Sequence, residues 1–235
     1  MKRIPLFSLI LAAAACGGGA QLSLSARAGT TASTQSAAGA TQQALTVNSG
    51  ITVDRLRIVV REVELERASA QPDDTRDAQE FEAGPFVIDL GADALSGTGA
   101  VKAQVSAAVP AGTYRELKFK IHKPGSSESS DAGVQAMAAQ NASIVVEGKL
   151  TNGQPYTFTS AVEAEQKFEG SFTIGSGNSN LTLNIVPSGW FGTAAAPLDP
   201  GNASNRSQIE GNIQVSFRVF EDDDRDGHDD GAGHR

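Results

Sequence analysis

The chain has a single cysteine, Cys16, so no internal disulfide and no cysteine-rich metal cage can form. Aromatics are scarce: one Trp, two Tyr and ten Phe make up 6% of the residues, so any core must lean on aliphatics. A basic surplus is missing as well. The formal charge is −8, which argues against nucleic acid as a partner and against an electrostatic grip on anionic lipid. No apolar run reaches the roughly 20 residues that a spanning helix needs. G-x-G-x-x-G, P-loop and G-x-S-x-G motifs are all absent, and His122 is the one histidine away from the C-terminal end. These absences leave no recognisable catalytic cassette. Scattered carboxylates could serve a hydrolase only if folding pairs them in space.

What is present begins with a leader. Met1–Lys2–Arg3 precedes the apolar segment IPLFSLILAAAA, an export-signal pattern that ends at Ala13–Ala14–Ala15 directly before Cys16. Residues 1 to 16 thereby resemble a bacterial lipoprotein signal, with Ala13 where that family usually has Leu. The resemblance implies lipidation of Cys16, and Gly17 after it is similar to outer-membrane-sorted members. The competing reading is an ordinary cleavable signal, because Ala13-x-Ala15 also suits that peptidase. Residues 17–43 are Gly, Ala, Ser, Thr and Gln with few large apolar side chains, a composition expected of a flexible tether.

The stretch Ile51–Glu66 carries the strongest structural signal. Leu56, Ile58 and Val60 alternate, the parity slips, and Val63 and Leu65 resume the apolar face. One extra residue near Arg61–Glu62 would bulge the strand and restore the inward face. Alternation recurs at Phe86–Ile88–Leu90, along Val101–Val109, and at Leu117–Phe119–Ile121, where Arg115, Glu116, Lys118 and Lys120 form the wet face. It recurs again at Ile144–Val146 and at Tyr156–Phe158, separated by an Asn152–Gly153 hairpin signal. Further runs are Phe168–Ile174, Leu181–Ile185, and a last strand holding Ile209, Ile213, Val215, Phe217 and Val219. A Ser/Gly/Ala-rich insert at 124–141 predicts one helical turn at Val134–Ala139. The pattern predicts an all-β, antiparallel sandwich of about nine or ten strands with no long helix. Tyr114, after the Pro110–Ala111–Gly112 turn, is expected to tie down a corner through its hydroxyl.

The Val53–Leu65 strand, the Phe86–Leu90 segment and the Ala111–Tyr114 turn running into Leu117, Phe119 and Ile121 resemble an uncharacterised family of bacterial lipoprotein domains with prealbumin-type, Greek-key β-sandwiches. The resemblance covers about residues 45 to 123 and departs at Asn48–Ser49, where the family has an aspartate-containing turn. It implies a fold and an envelope location and brings no activity.

The sharpest local chemistry is FEDDDRDGHDDG at the C-terminus, where Glu221–Asp230 holds seven carboxylates against one Arg. Asp222, Asp224, Asp226, Gly227 and Asp230 fit D-x-D-x-D-G-x-x-D, and alternate carboxylates on a loop bent at Gly can converge on Ca²⁺, which takes six to eight hard oxygens. The spacing resembles EF-hand and thrombospondin-type-3 calcium loops. By that likeness Asp222, Asp224, Asp226 and Asp230 would ligate by side chain and His228 through its carbonyl. The bidentate Glu of an EF-hand is missing at Gly233, so any site would be weak. Against this stands a solvated acidic tail. His228 and His234 also raise a weaker transition-metal reading. Trp190–Phe191 is the aromatic pair outside a strand, read either as a stacking face for a sugar or protein partner or as a plug over the end of the core.

The organisation expected is therefore 1–16 signal and lipidated Cys, 17–43 tether, 44–220 β-sandwich and 221–235 acidic, calcium-binding tail. The function expected is a non-enzymatic envelope module, held in the membrane by a lipid anchor, that binds a protein or glycan. The alternatives are a structural envelope protein and, behind it, a hydrolase.

Overall fold

The computed structural model describes residues 20–29, 44–68, 81–95, 101–175 and 177–230. In chain order the strands are β1 (Ala20–Ala28), β2 (Leu45–Thr46), β3 (Thr52–Arg67), β4 (Phe81–Ala83), β5 (Phe86–Leu90), β6 (Lys102–Val109), β7 (Gly112–Ile121), β8 (Ile144–Lys149), β9 (Pro155–Ser160), β10 (Ala164–Ile174), β11 (Asn178–Ile185) and β12 (Phe217–Glu221). Three short helices accompany them: α1 (Ala92–Leu95), α2 (Ala132–Ala139) and α3 (Arg206–Gln214). The strands form a four-stranded sheet in the order β12-β11-β1-β6 and an eight-stranded sheet along β10-β7-β3-β8-β9. The apolar faces of both sheets share one core, so the molecule is an all-β sandwich.

The sixteen-residue β3 is its spine, pairing with β2, β4, β5, β7 and β8. Leu56, Ile58 and Val60 are fully buried on one parity, and Val63 and Leu65 on the other. Val60 faces Ile121 while Glu62 faces Lys120, which leaves Arg61 as the extra residue that switches parity. Val59, on the opposite face, is also dry because Met137 of α2, Ala142 and Val145 cover it. Past that patch the outer face is wet, and Lys120 bonds Glu62 at 2.9 Å and Glu64 at 2.6 Å. These pairs are partly buried, and such near-surface pairs contribute about 0–1 kcal/mol each.

Turns follow their local chemistry. The β8–β9 hairpin closes through Gly153 N–H to the Leu150 carbonyl at 2.8 Å, with Gly153 at φ +81°. The β6–β7 turn passes from one sheet to the other, and the buried Tyr114 hydroxyl donates to the Pro110 carbonyl at 2.7 Å across that corner. Helix α2 begins at Asp131, whose carboxylate accepts from Val134 N–H at 2.9 Å. It extends the single turn expected at 134–139 to eight residues.

Four expectations need correction. The segment expected to be a tether contains β1, which pairs in parallel with β11 and antiparallel with β6 in the middle of its sheet. Leu22, Leu24, Ala26 and Ala28 enter the core, so alternation of even small apolar residues outweighs the linker-like composition. Cys16 and most of the remaining tether lie outside the described residues. That parallel pair also makes the smaller sheet mixed. The described strands number twelve, four in one sheet and eight in the other. Finally, residues 206–214 are helix α3, in which Ile209 and Ile213 share a buried face, while Val215 is 71% exposed and Phe217 begins β12. Spacing of four satisfies both a strand and a helix period, and the polar formers Arg206, Gln208, Glu210 and Gln214 decide for helix.

Candidate metal centre

Ser23, Ser25 and Arg27 alternate with the core residues of β1, so they sit on the outer face of the four-stranded sheet, beside Asn180 and Thr182 of β11. Such a face would ordinarily be wet. Here Ser25, Asn180 and Thr182 are at most 2% exposed. The Asp-rich segment after β12 folds back over them.

Asp222 anchors that fold-back and is itself fully buried. Thr182 Oγ1 donates to one of its carboxylate oxygens at 2.7 Å, and Gly227 N–H donates to the other at 3.2 Å. Asn180 Nδ2 donates to the Asp222 carbonyl at 2.8 Å and to Thr182 Oγ1 at 3.0 Å, while Ser25 Oγ donates to Asn180 Oδ1 at 2.7 Å. Asp223 accepts from Asn180 N–H at 2.7 Å, and its own N–H donates to Asp230 at 2.6 Å. The loop bends at two left-handed residues, Arg225 (φ +60°) and Gly227 (φ +84°). Arg225 reaches Ser23 Oγ at 3.0 Å, and Arg27 donates to the Gly227 carbonyl. Glycine is favoured at 227 by its left-handed backbone angle, and the Arg27 guanidinium packs closely against it. Residues 222–230 are docked through the buried Asp222 and Gly227, as a lid whose other residues stay exposed.

Docking gathers carboxylates. One oxygen each of Asp222, Asp224 and Asp226 lie within 4.8 Å of one another, a cluster that could hold a metal ion. Two oxygens on opposite sides of a hard cation such as Ca²⁺ stand about 4.6–5.2 Å apart, so the spacing fits one shared ion. Asp222 is already hydrogen-bonded through both oxygens, but each keeps a second lone pair for a ligand bond. Asp224 and Asp226 are exposed, and their Asx-turn bonds to Asp226 N–H (3.0 Å) and His228 N–H (2.7 Å) set the loop curvature. The backbone N–H of His228, its imidazole and the Arg27 charge hold the Asp226 carboxyl below its ordinary range. Asp230 and His228 are not part of the three-carboxylate cluster. His228 is 83% exposed and places Nδ1 3.0 Å from Asp226, while His234 lies outside the described residues.

The other candidates separate cleanly. Trp190 and Phe191 are fully buried, so neither offers an exposed stacking face. Phe191 meets Tyr156 and Phe158 edge-on at 5.5 and 6.2 Å, which makes the pair a plug on the core. His122 Nδ1 lies 3.1 Å from Glu163 Oε1, on a partly exposed strand end. Sequence reasoning missed Asn180, Thr182, Ser25 and Arg27, which build the floor under the loop. The alternation Leu-Ser-Leu-Ser-Ala-Arg-Ala was the available signal.

No family model, curated protein or solved structure matches this chain.

Proposed function

We propose that this protein is a non-enzymatic binding module of the cell envelope, held to the membrane through lipidated Cys16 and stabilised by Ca²⁺ at its Asp222–Asp230 loop. One observation supports the cation above all: three carboxylates converge while the loop that carries them is pinned to a buried polar floor. Pre-organisation lowers the ordering cost of binding. The missing bidentate Glu, and the Arg27 charge against Gly227, argue for weak binding in the ~10⁻⁴–10⁻³ M range of extracellular modules. Calcium is favoured over smaller divalent ions because flexible, carboxylate-rich coordination suits it, whereas Mg²⁺ demands near-octahedral geometry. An ion that binds the native state alone adds RT ln(1 + [L]/Kd), about 1.4 kcal/mol at tenfold Kd. For a chain of this size that is roughly a 3–6 °C rise in melting temperature. The test is a melt with calcium, with magnesium and with chelator. Asp224→Asn with Asp226→Asn should abolish the rise, and a rise that survives in that variant refutes the assigned ligands. Detergent partitioning of the mature chain, against a Cys16→Ser control, tests the anchor.

A further inference from the structure

The two sheets end side by side. Among the described residues, strand β10 is the last strand of the larger sheet and pairs with β7, and β12 is the last of the smaller and pairs with β11. Among the described residues no backbone ladder joins β10 to β12. Side chains bridge the seam at its two ends instead. Gln166 donates to the Gln214 carbonyl at 2.9 Å, and Thr173 N–H donates to Glu221 at 2.6 Å. Between these bridges lies an open groove of about 510 Å³. Phe168, Phe172, Val219 and Phe220 line it, together with Glu169 and Glu221. Its size is that of a ligand cleft.

We propose that this seam is a peptide-binding groove that takes an extended, lysine- or arginine-bearing segment of another protein as an added strand. A strand edge is a template for backbone pairing, and the mixed lining offers both apolar contacts, at Phe168, Phe172, Val219 and Phe220, and carboxylates for alternate side chains. Charge selects the partner. Glu169 and Glu221 outnumber Lys167 in the lining, and Lys167 also lies 3.9 Å from Glu165 and 4.0 Å from Glu116, so the groove is acidic on a chain of formal charge −8. The same charges disfavour a second copy of β10. Antiparallel self-pairing centred on Lys167 would set Glu165 against Glu169 and Lys167 against itself.

This deepens the binding-module reading and rests on it; the groove adjoins the Asp222–Asp230 loop, whose Asp229 also lines it, but uses none of the three clustered carboxylates. The probe is a blocked heptapeptide of alternating lysine and valine, titrated calorimetrically into the full mature chain, with the alternating glutamate–valine peptide as control. Amide hydrogen exchange follows each titration. Binding of the lysine peptide at least about tenfold tighter than the control, weakened about tenfold by Glu169→Lys and by raised salt, is expected. New amide protection should fall within 166–173 and 217–221. Equal affinity for both peptides, indifference to Glu169→Lys, protection elsewhere, or no binding at about 1 mM peptide overturns the groove. Protection of these amides that rises with protein concentration alone identifies a second copy as the occupant and overturns it too. A calcium-dependent melt that persists when peptide binding fails shows that the groove, and not the cation reading, is at fault.

Discussion

Replacing Asp222 by Ala separates a docked lid from an acidic tail. The substitution removes two hydrogen bonds to a buried carboxylate, from Thr182 at 2.7 Å and from Gly227 N–H at 3.2 Å. Bonds to a charged group contribute about 1.5–3 kcal/mol each, with the longer one at the low end. Thr182 Oγ1 keeps its bond from Asn180 Nδ2, so the orphaned groups are one hydroxyl proton and one amide. The expected loss is about 3–5 kcal/mol, the two contributions summed. For a chain of this length that is roughly 6–20 °C in melting temperature. Equilibrium urea melts in chelator measure it without interference from metal. A double-mutant cycle with Thr182→Val should return a coupling of about 1 kcal/mol or more. The exposed pair Asp224→Asn and Asp226→Asn, measured in the same chelated buffer, should stay within about 0.5 kcal/mol of the parent. An Asp222→Ala protein as stable as the parent would mean that the lid is not docked, and the pinned-loop argument for the cation would fall with it.

Leu24→Ala in β1 should cost about 2–4 kcal/mol, since Leu24 packs with Val60, Phe119 and Leu183 around a nearly filled interior space. A tether residue would cost nothing, so an unchanged urea midpoint refutes the strand. Tyr114→Phe should cost about 1–1.5 kcal/mol by orphaning the Pro110 carbonyl at the corner between sheets, again read by urea melts. Stability should also fall in acid. Arg55 holds the Asp89 carboxyl, Lys120 that of Glu64 and Arg115 that of Glu66 below the usual carboxylate range. Groups with depressed folded pKa values contribute fully above the unfolded range, about pH 4, and lose that contribution as pH drops through the folded values. Melts from pH 6 to 2 should show the decline, flattened by salt because the pairs are largely exposed. A profile flat below pH 4 refutes it.

Much of the larger sheet was legible because its cues are local. The bulge at Arg61 announces itself as a parity slip in β3, the hairpin at Gly153 as Asn-Gly, and the corner as Tyr114 after Pro110–Gly112. Spacing likewise groups Asp222, Asp224 and Asp226, while Asp230 and His228, assigned by the same likeness, lie outside that cluster. What stayed hidden is one structure seen from both ends of the chain. Strand β1 resembles a linker because its outward residues Ser23, Ser25 and Arg27 are polar and its inward ones include small Ala20, Ala26 and Ala28. The outward ones are polar because a loop some 200 residues away packs onto them: Arg27 reaches Gly227, and Arg225 reaches Ser23. The loop in turn resembles a solvated tail because its floor, Ser25, Asn180 and Thr182, comes from two strands that no short window contains together. Composition misjudges each half for want of the other. A period-2 run of small side chains near one terminus, matched by a polar loop near the other, is therefore better read as two faces of one buried interface than as two unstructured ends.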